Sequence, residues 1–454
     1  MFLIHYISAQ LTTGYTSYAD FPITHLNIMA VRVITQLDPK DSLFLSIGLF
    51  YIFSTLFVFL LGQRLINTKT GLLAALLISI TSFHIGWGAW LIPCSLGIGI
   101  FAMLLWLIFK GNRNVSSTLM LIIMSFVLVL THTIAALVAA LALVFFLIAN
   151  QVFKRLPGAS GEQINVGYSF LALFWVFLLA RWIYSFYSPS KSFFDAVLGW
   201  FVSALRVDVQ YTGAAFEALA TPQGTLNRVG FLMLIGFIVI GSLFWLSQKA
   251  ISNKRVAIII GALGLSVVTF VLPFFNIENF IPGRWLPFIA VLGAAIAAGG
   301  ILALSRLLNG RVMKSLLMVL IVFIFSMFMV NSYGVNTRTP FYGKDYMQDP
   351  QRYAFNESEL SAIDTISEIY DGKITTDNEY RKLPLATQVG QERAISLSIE
   401  EENEGLIVIR EYVYRHGIFA GQANEQSTRL LDSFSSSGYN MVYNNGEVKA
   451  YLAR

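Results

Sequence analysis

Over the first 330 residues, apolar runs alternate with short basic turns. The basic clusters are Arg64/Lys69, Lys110/Arg113, Lys154/Arg155, Lys249/Lys254/Arg255 and Arg306/Arg311/Lys314. Each follows an apolar run of the length that crosses ~30 Å of hydrocarbon. Clusters of Lys and Arg mark the cytoplasmic side, so an even number of crossings separates neighbouring clusters. Residues 71–109 then hold two spans split at SFHIGWGAW (82–90), and 118–150 hold two short ones split at THT (131–133). Spans near 167–184 and 229–247 flank a polar-aromatic segment. Spans near 256–274 and 285–305 flank NIENFIPGR (276–284). With a first span at 43–62 and a last at 315–330, the pattern predicts about ten transmembrane helices. Residues 1–42 form an outer N-terminal loop region, 43–330 an all-α membrane domain, and 331–454 a domain on the outer side.

The acids divide at the same boundary. Residues 1–330 hold only Asp20, Asp38, Asp41, Glu162, Asp195, Asp208, Glu217 and Glu278; the rest of the 26 lie beyond. The segment 331–454 reads as a small soluble α/β domain. NESELSAIDTISEIY (356–370) spaces Leu360, Ile363, Ile366 and Ile369 as one helical face, and GKITTD and GLIVIREYVY read as strands. YNMVYNNGEVKAYL sets Asn445-Gly446 between alternating runs, the signature of a hairpin with a two-residue turn.

Composition agrees with a polytopic membrane protein. The 454 residues are 56% hydrophobic and 13% charged, with mean hydropathy +0.65; soluble domains are about 25% charged. The net charge of +5 is therefore topological, and nucleic acid is not an expected partner. A single cysteine, Cys94, excludes an intrachain disulfide and reads as a small apolar helix residue. MFLIHYISAQ lacks a basic n-region and a cleavage site, so no signal peptide is expected there.

The inner turns are short and basic, whereas the outer segments carry histidine, tryptophan, proline and isolated acids. Polar groups at membrane depth are costly unless paired or facing a wet cavity, so a functional cavity is expected on the outer side. The alternative for any one Trp or Tyr is an ordinary interfacial ring. The five histidines never fall two to a helical face, so no zinc site is expected. The residues call for no cofactor, with a divalent metal left open. One base and a few cations at the membrane surface suit transfer of a sugar from a polyprenyl phosphate: a carboxylate deprotonates the acceptor and cations stabilise the departing phosphate.

Three stretches carry a family resemblance. They are YADFPITHLNIMAVRVITQL (18–37), LFVFLLGQRLINTKTGLLAALLISITSFHIGWGAW (56–90) and PGRWLPFIAVLGAAIAAGG (282–300). In order and spacing they resemble the GT-C class of integral-membrane glycosyltransferases, near the protein O-mannosyltransferases and the aminoarabinose transferase of lipid A. The resemblance implies a polyprenyl-phosphate-linked sugar as donor and a glycan, lipid or protein acceptor. It also implies a cell-membrane location, with membrane lipids around the chain and the C-terminal domain extracytoplasmic. In that class a first transmembrane helix precedes the outer loop, and the catalytic acid follows it. Here that helix has no counterpart: the reading begins late, the chain is truncated, or the acid is gone. Asp20 is then the expected catalytic acid. His25, His84, Arg181, Lys191, Glu278 and Arg284 are the expected substrate-binding residues, with Arg284 facing the lipid phosphate. The alternatives are a flippase of lipid-linked glycans, disfavoured by the cleanly apolar spans, and a non-catalytic protein on a transferase-like scaffold.

Overall fold

The computed structural model describes residues 22–111, 114–155, 164, 166–188, 191–206, 222–248, 252–271, 284–334, 355, 357–377, 380–381, 385–390, 392–397, 405–411, 413, 418–419, 422–423 and 439–453. The chain divides into two compact units, Met1–Tyr333 and Gly334–Arg454.

In the first unit the described elements are helical, apart from one small hairpin. In chain order they are α1 (Pro22–Thr35), α2 (Pro39–Leu43), a π-helical turn (Phe44–Gly48), α3 (Leu49–Leu65), α4 (Thr68–Ser79), α5 (Ser82–Trp90), α6 (Pro93–Phe109), α7 (Val115–Thr131), α8 (Thr133–Phe153) and α9 (Tyr168–Tyr184). The hairpin β1 (Phe186–Ser188) and β2 (Lys191–Ser192) follows. Then come α10 (Phe193–Arg206), α11 (Pro222–Leu246), α12 (Asn253–Val271), α13 (Leu286–Ser305) and α14 (Arg311–Gly334). The starts follow local chemistry. Asn67 caps α4 by accepting from Thr70 N at 2.9 Å, and Asn114 caps α7 by accepting from Ser117 N at 2.8 Å. Pro22 and Pro93 occupy first helical positions, where a missing N–H costs nothing.

Five helical stretches are long and apolar enough to cross a membrane: Asp41–Leu65, Thr133–Phe153, Val229–Leu246, Leu286–Ser305 and Arg311–Met329. A sixth is the pair Thr68–Ser79 and Ser82–Gly88, bent by 65°. Pro93–Phe109, Val115–Thr131 and Tyr168–Tyr184 are apolar but shorter. Three readings of the sequence change. YADFPITH is not all loop, because the chain is helical from Pro22. SFHIGWGAW is a helix rather than a turn; it breaks from α4 at Thr81, whose hydroxyl donates back to Ile78 O at 2.8 Å. The THT turn is one extended residue, His132.

At the centre lies α13, nearly all of it buried. It packs on α11, α4, α12 and α3. Small residues make this possible: a Cβ on Gly241 would lie 2.0 Å from Ile296 O, and one on Gly300 would lie 2.3 Å from Phe237 O. The α11 and α13 backbones touch there, as small residues allow between membrane helices.

The second unit holds α15 (Glu357–Ile369), α16 (Ala386–Val389) and a five-stranded sheet of β3 (Ile374–Thr376), β4 (Ala394–Ser396), β5 (Leu406–Arg410), β8 (Tyr439–Asn444) and β9 (Val448–Ala453). A separate two-stranded pair, β6 (Ile418–Phe419) and β7 (Gln422–Ala423), accompanies it. The strand order is β4-β3-β5-β9-β8; β3 runs parallel to β4 and β5, while β9 is antiparallel to β5 and β8. The α15 face differs from the one expected. Glu359, Ala362, Ile363 and Ile366 are buried, while Leu360 and Ile369 are 44% and 64% exposed. The β8–β9 connection spans three residues rather than two. Asn445 Oδ1 accepts from Val448 N at 2.8 Å, and Gly446 takes φ +89, a left-handed conformation that glycine adopts without strain.

Candidate functional site

A polar cluster lies at the end of the first unit opposite the basic turns. Three helices begin there. His132 is the N-cap of α8, its Nδ1 accepting from Ala135 N at 3.4 Å. Cys94 lies in the first turn of α6, and Arg284 stands just ahead of α13. The Arg284 guanidinium is within electrostatic range of both Cys94 and His132. The starts of α6 and α8 are pressed together, so that a Cβ on Gly97 would lie 2.7 Å from Ala135 Cβ. Helix N-termini carry partial positive charge and unpaired N–H groups. Three of them beside an arginine make a region that attracts an anion.

On the flank of this region stands His84. Its ring stacks on Tyr51 at 4.4 Å between centroids, 23° from parallel. The Tyr51 hydroxyl donates to His84 O at 2.5 Å, and His84 Nε2 lies 3.3 Å from Thr55 Oγ1. His84 is 6% exposed, yet Nδ1 has no hydrogen-bond partner among the described residues. A buried polar atom without a partner costs stability unless a ligand or water serves it. Tyr51 is also within electrostatic range of Cys94, so His84 and Arg284 belong to one chain of neighbours. The backbone is shaped to match. Leu91 adopts φ +34, ψ 56 between α5 and α6, and the Ser95 hydroxyl donates to Trp87 O at 2.7 Å across that corner.

Of the remaining expected residues, the described ones sit on α1, α9 and β2. Asp20 and Glu278 lie outside the described residues. His25 is in the first turn of α1, which packs on α7 and the π-helical turn; burial holds its imidazole below the ordinary 6.5 by disfavouring the charged form. Arg181 is in the last turn of α9. Lys191 opens β2 opposite Ser188. That hairpin leads into α10, started by a reciprocal cap: Ser192 N donates to Asp195 Oδ2 at 3.3 Å, and Asp195 N donates to Ser192 Oγ at 3.1 Å. Tyr51, Thr55, Cys94 and His132 are not among the residues expected from sequence. Tyr51 and Thr55 sit four apart in an apolar run, hence on one helical face, and that spacing is a signal the sequence does hold. Among the described residues no three His, Cys, Asp or Glu side chains gather as a metal site.

A second polar cluster lies in the C-terminal unit. Arg410, at the end of β5, donates from Nε to Asp377 Oδ2 at 2.9 Å and from Nη2 to Asp377 Oδ1 at 2.7 Å. Its Nη1 lies 3.8 Å from Glu359 Oε1. The rings of Phe355 and Tyr380 stand 5.1 and 5.3 Å from the guanidinium carbon. Arg410, Asp377, Glu359 and Tyr380 are buried, and Phe355 is half-buried. The neighbouring carboxylates raise the Arg410 pKa in spite of burial, which lowers it. Tyr380, whose hydroxyl donates to Glu359 O, is raised above 10.0 by burial first and the Glu359 charge second.

No protein family's sequence profile matches the chain, and no curated protein does either. Solved structures do. An oligosaccharyltransferase from Archaeoglobus fulgidus, solved with zinc and sulfate, matches with a TM-score of 0.54 at 12% identity, over 97% of this chain and 65% of that one. ArnT from Cupriavidus metallidurans in the apo state matches with a TM-score of 0.50 at 12% identity, over 95% of this chain and 87% of that one. The chain thus spans about two-thirds of the archaeal enzyme's length. The fold is that of the GT-C membrane glycosyltransferases.

Proposed function

We propose that the chain is a glycosyltransferase that moves a sugar from a polyprenyl-phosphate donor to an acceptor at the outer membrane surface. One observation carries this reading: the starts of α6, α8 and α13 converge beside Arg284 on the face opposite the basic turns. In transfer from a polyprenyl phosphate, negative charge grows on the leaving phosphate as the glycosidic bond breaks. Fixed donors and a guanidinium aimed at that charge stabilise the transition state more than the ground state. Arg284 takes this role, with Arg181 or Lys191 assisting. His84, whose Nδ1 has no partner among the described residues, positions the acceptor hydroxyl. Asp20 is the base that removes the acceptor proton.

The reading includes ten crossings, with residues 1–42 and the C-terminal unit on the outer side and the basic turns inside. Cysteines introduced near residues 210 and 400 are then labelled from outside, and those near 110 and 252 are not. The function is tested with the full chain in proteoliposomes supplied with polyprenyl-phosphate sugars and cell-envelope acceptors. Sugar transfer that is lost in Arg284→Ala and Asp20→Asn supports the assignment. Transfer that survives both removes these roles. ATP-independent movement of an intact lipid-linked glycan across the bilayer, without bond cleavage, favours a flippase instead.

A further inference from the structure

At the opposite end of the first unit, the bundle holds a cavity of about 870 Å³ between α4, α13 and α14. That lies within the ~300–1,000 Å³ usual for ligand sites. Its floor is basic: Lys69 at the start of α4, Arg306 at the end of α13, and Arg311 and Lys314 at the start of α14 all line it. Among the described residues no acid lines it, and none of the four cations has an ion-pair partner. Arg306 is held in place by Phe244, whose ring lies 5.0 Å from its guanidinium carbon. The walls are apolar, with Leu72 and Met318 among them. Leu72 is 60% exposed, and only 11% of the apolar window of α14 is buried, so this wall continues into the lipid-facing surface.

A basic floor joined to an apolar wall open to the side matches one ligand chemistry: a phosphate monoester or diester carrying hydrocarbon chains. We propose that this cavity binds an anionic phospholipid of the inner leaflet, its phosphate held by Lys69, Arg306, Arg311 and Lys314 and its chains lying along Leu72 and Met318. Basic pockets between transmembrane helices on the cytoplasmic side recognise lipid headgroups by this arrangement. The site is separate from the outer cluster, and its test does not depend on sugar transfer.

The experiment is native mass spectrometry of the full chain with phosphatidylglycerol, phosphatidylcholine or inorganic phosphate. Wild type is expected to retain phosphatidylglycerol preferentially. Each cation changed to Gln is expected to weaken it about fivefold, so Arg311→Gln with Lys314→Gln weakens it about 25-fold. Lys154→Gln with Arg155→Gln, an inner basic pair outside the cavity, is the control and leaves binding unchanged. The Lys69→Arg and Lys314→Arg variants keep it, which separates charge from folding. Equal retention of phosphatidylcholine, or undiminished binding in the double Gln variant, overturns the proposal. Inorganic phosphate binding as tightly as phosphatidylglycerol overturns the lipid and leaves a bare anion site.

Discussion

Two arginines show how differently the two units treat the same side chain. Arg410 is closed: a bidentate carboxylate, a second acid and two aromatic rings surround it, and it is 1% exposed. Arg284 is open: among the described residues it has no ion-pair partner, and its neighbours are a thiol, an imidazole and three helix starts. A buried guanidinium is tolerated only with its charge and donors matched. The closed one has that match inside the protein and serves the sheet. The open one has no such match among the described residues, which is the condition for receiving an anion.

Breaking the closed arginine should have the largest effect. Arg410→Met strands Asp377 and Glu359 in the core and should cost ~3–5 kcal/mol. Hydrogen exchange on the full chain should show β5 amides losing about two to four orders of protection. Protection within tenfold of wild type would mean the acids find other partners.

Breaking the open arginine should leave folding alone and act on chemistry. Arg284→Ala should cost ~2–4 kcal/mol of transition-state binding, read as kcat/KM with an unchanged melting curve. A fall in melting temperature with intact turnover would reverse the comparison.

The closed cluster should also have a pH signature. Tyr380 is buried, with its folded pKa raised above 10.0. Its contribution is fully present below pH 10, the value in the unfolded chain. It is lost as pH rises from there towards the folded pKa, with a slope of ~1.4 kcal/mol per pH unit. Denaturation of the full chain between about pH 10 and 12, followed at C-terminal peptides, should show this slope, and Tyr380→Phe should flatten it.

The smallest effect concerns the flank of the open site. Thr55→Val removes the hydroxyl beside His84 Nε2 and should cost ~0.5–1.5 kcal/mol. That loss should appear in KM for the acceptor, with the donor KM unchanged. An equal change in both would detach His84 from acceptor positioning.

The contrast also explains what was readable from sequence. The membrane class and the GT-C fold were legible because apolar runs and basic turns are local signals, and the motif order from Tyr18 to Gly300 extends them. His84 and Arg284 were legible as candidates because each interrupts an apolar context. Cys94 was not: it reads as a small apolar residue, and only Pro93 and the left-handed Leu91 bring it to the start of α6 beside Arg284. Arg410, Asp377 and Glu359 were not either, since the first two lie 33 residues apart and meet through a parallel strand pairing. In α15, four apolar residues at helical spacing suggested the buried face, but the match between Glu359 and Arg410 turned the helix so that an acid lies inside and Leu360 outside.

The contact between Gly241 and Gly300 has a consequence for inheritance. A Cβ at either position would meet a carbonyl of the facing helix at 2.0–2.3 Å, so neither residue has a single-step neighbour that keeps the crossing. The two sites should therefore drift only as a pair, through a rare double change that lets the helices move apart together. Positions such as Val319, 66% exposed on α14, have no such tie and can change one at a time. Among descendants of this sequence, the lipid-facing surface should record time, and the glycine crossing should record ancestry.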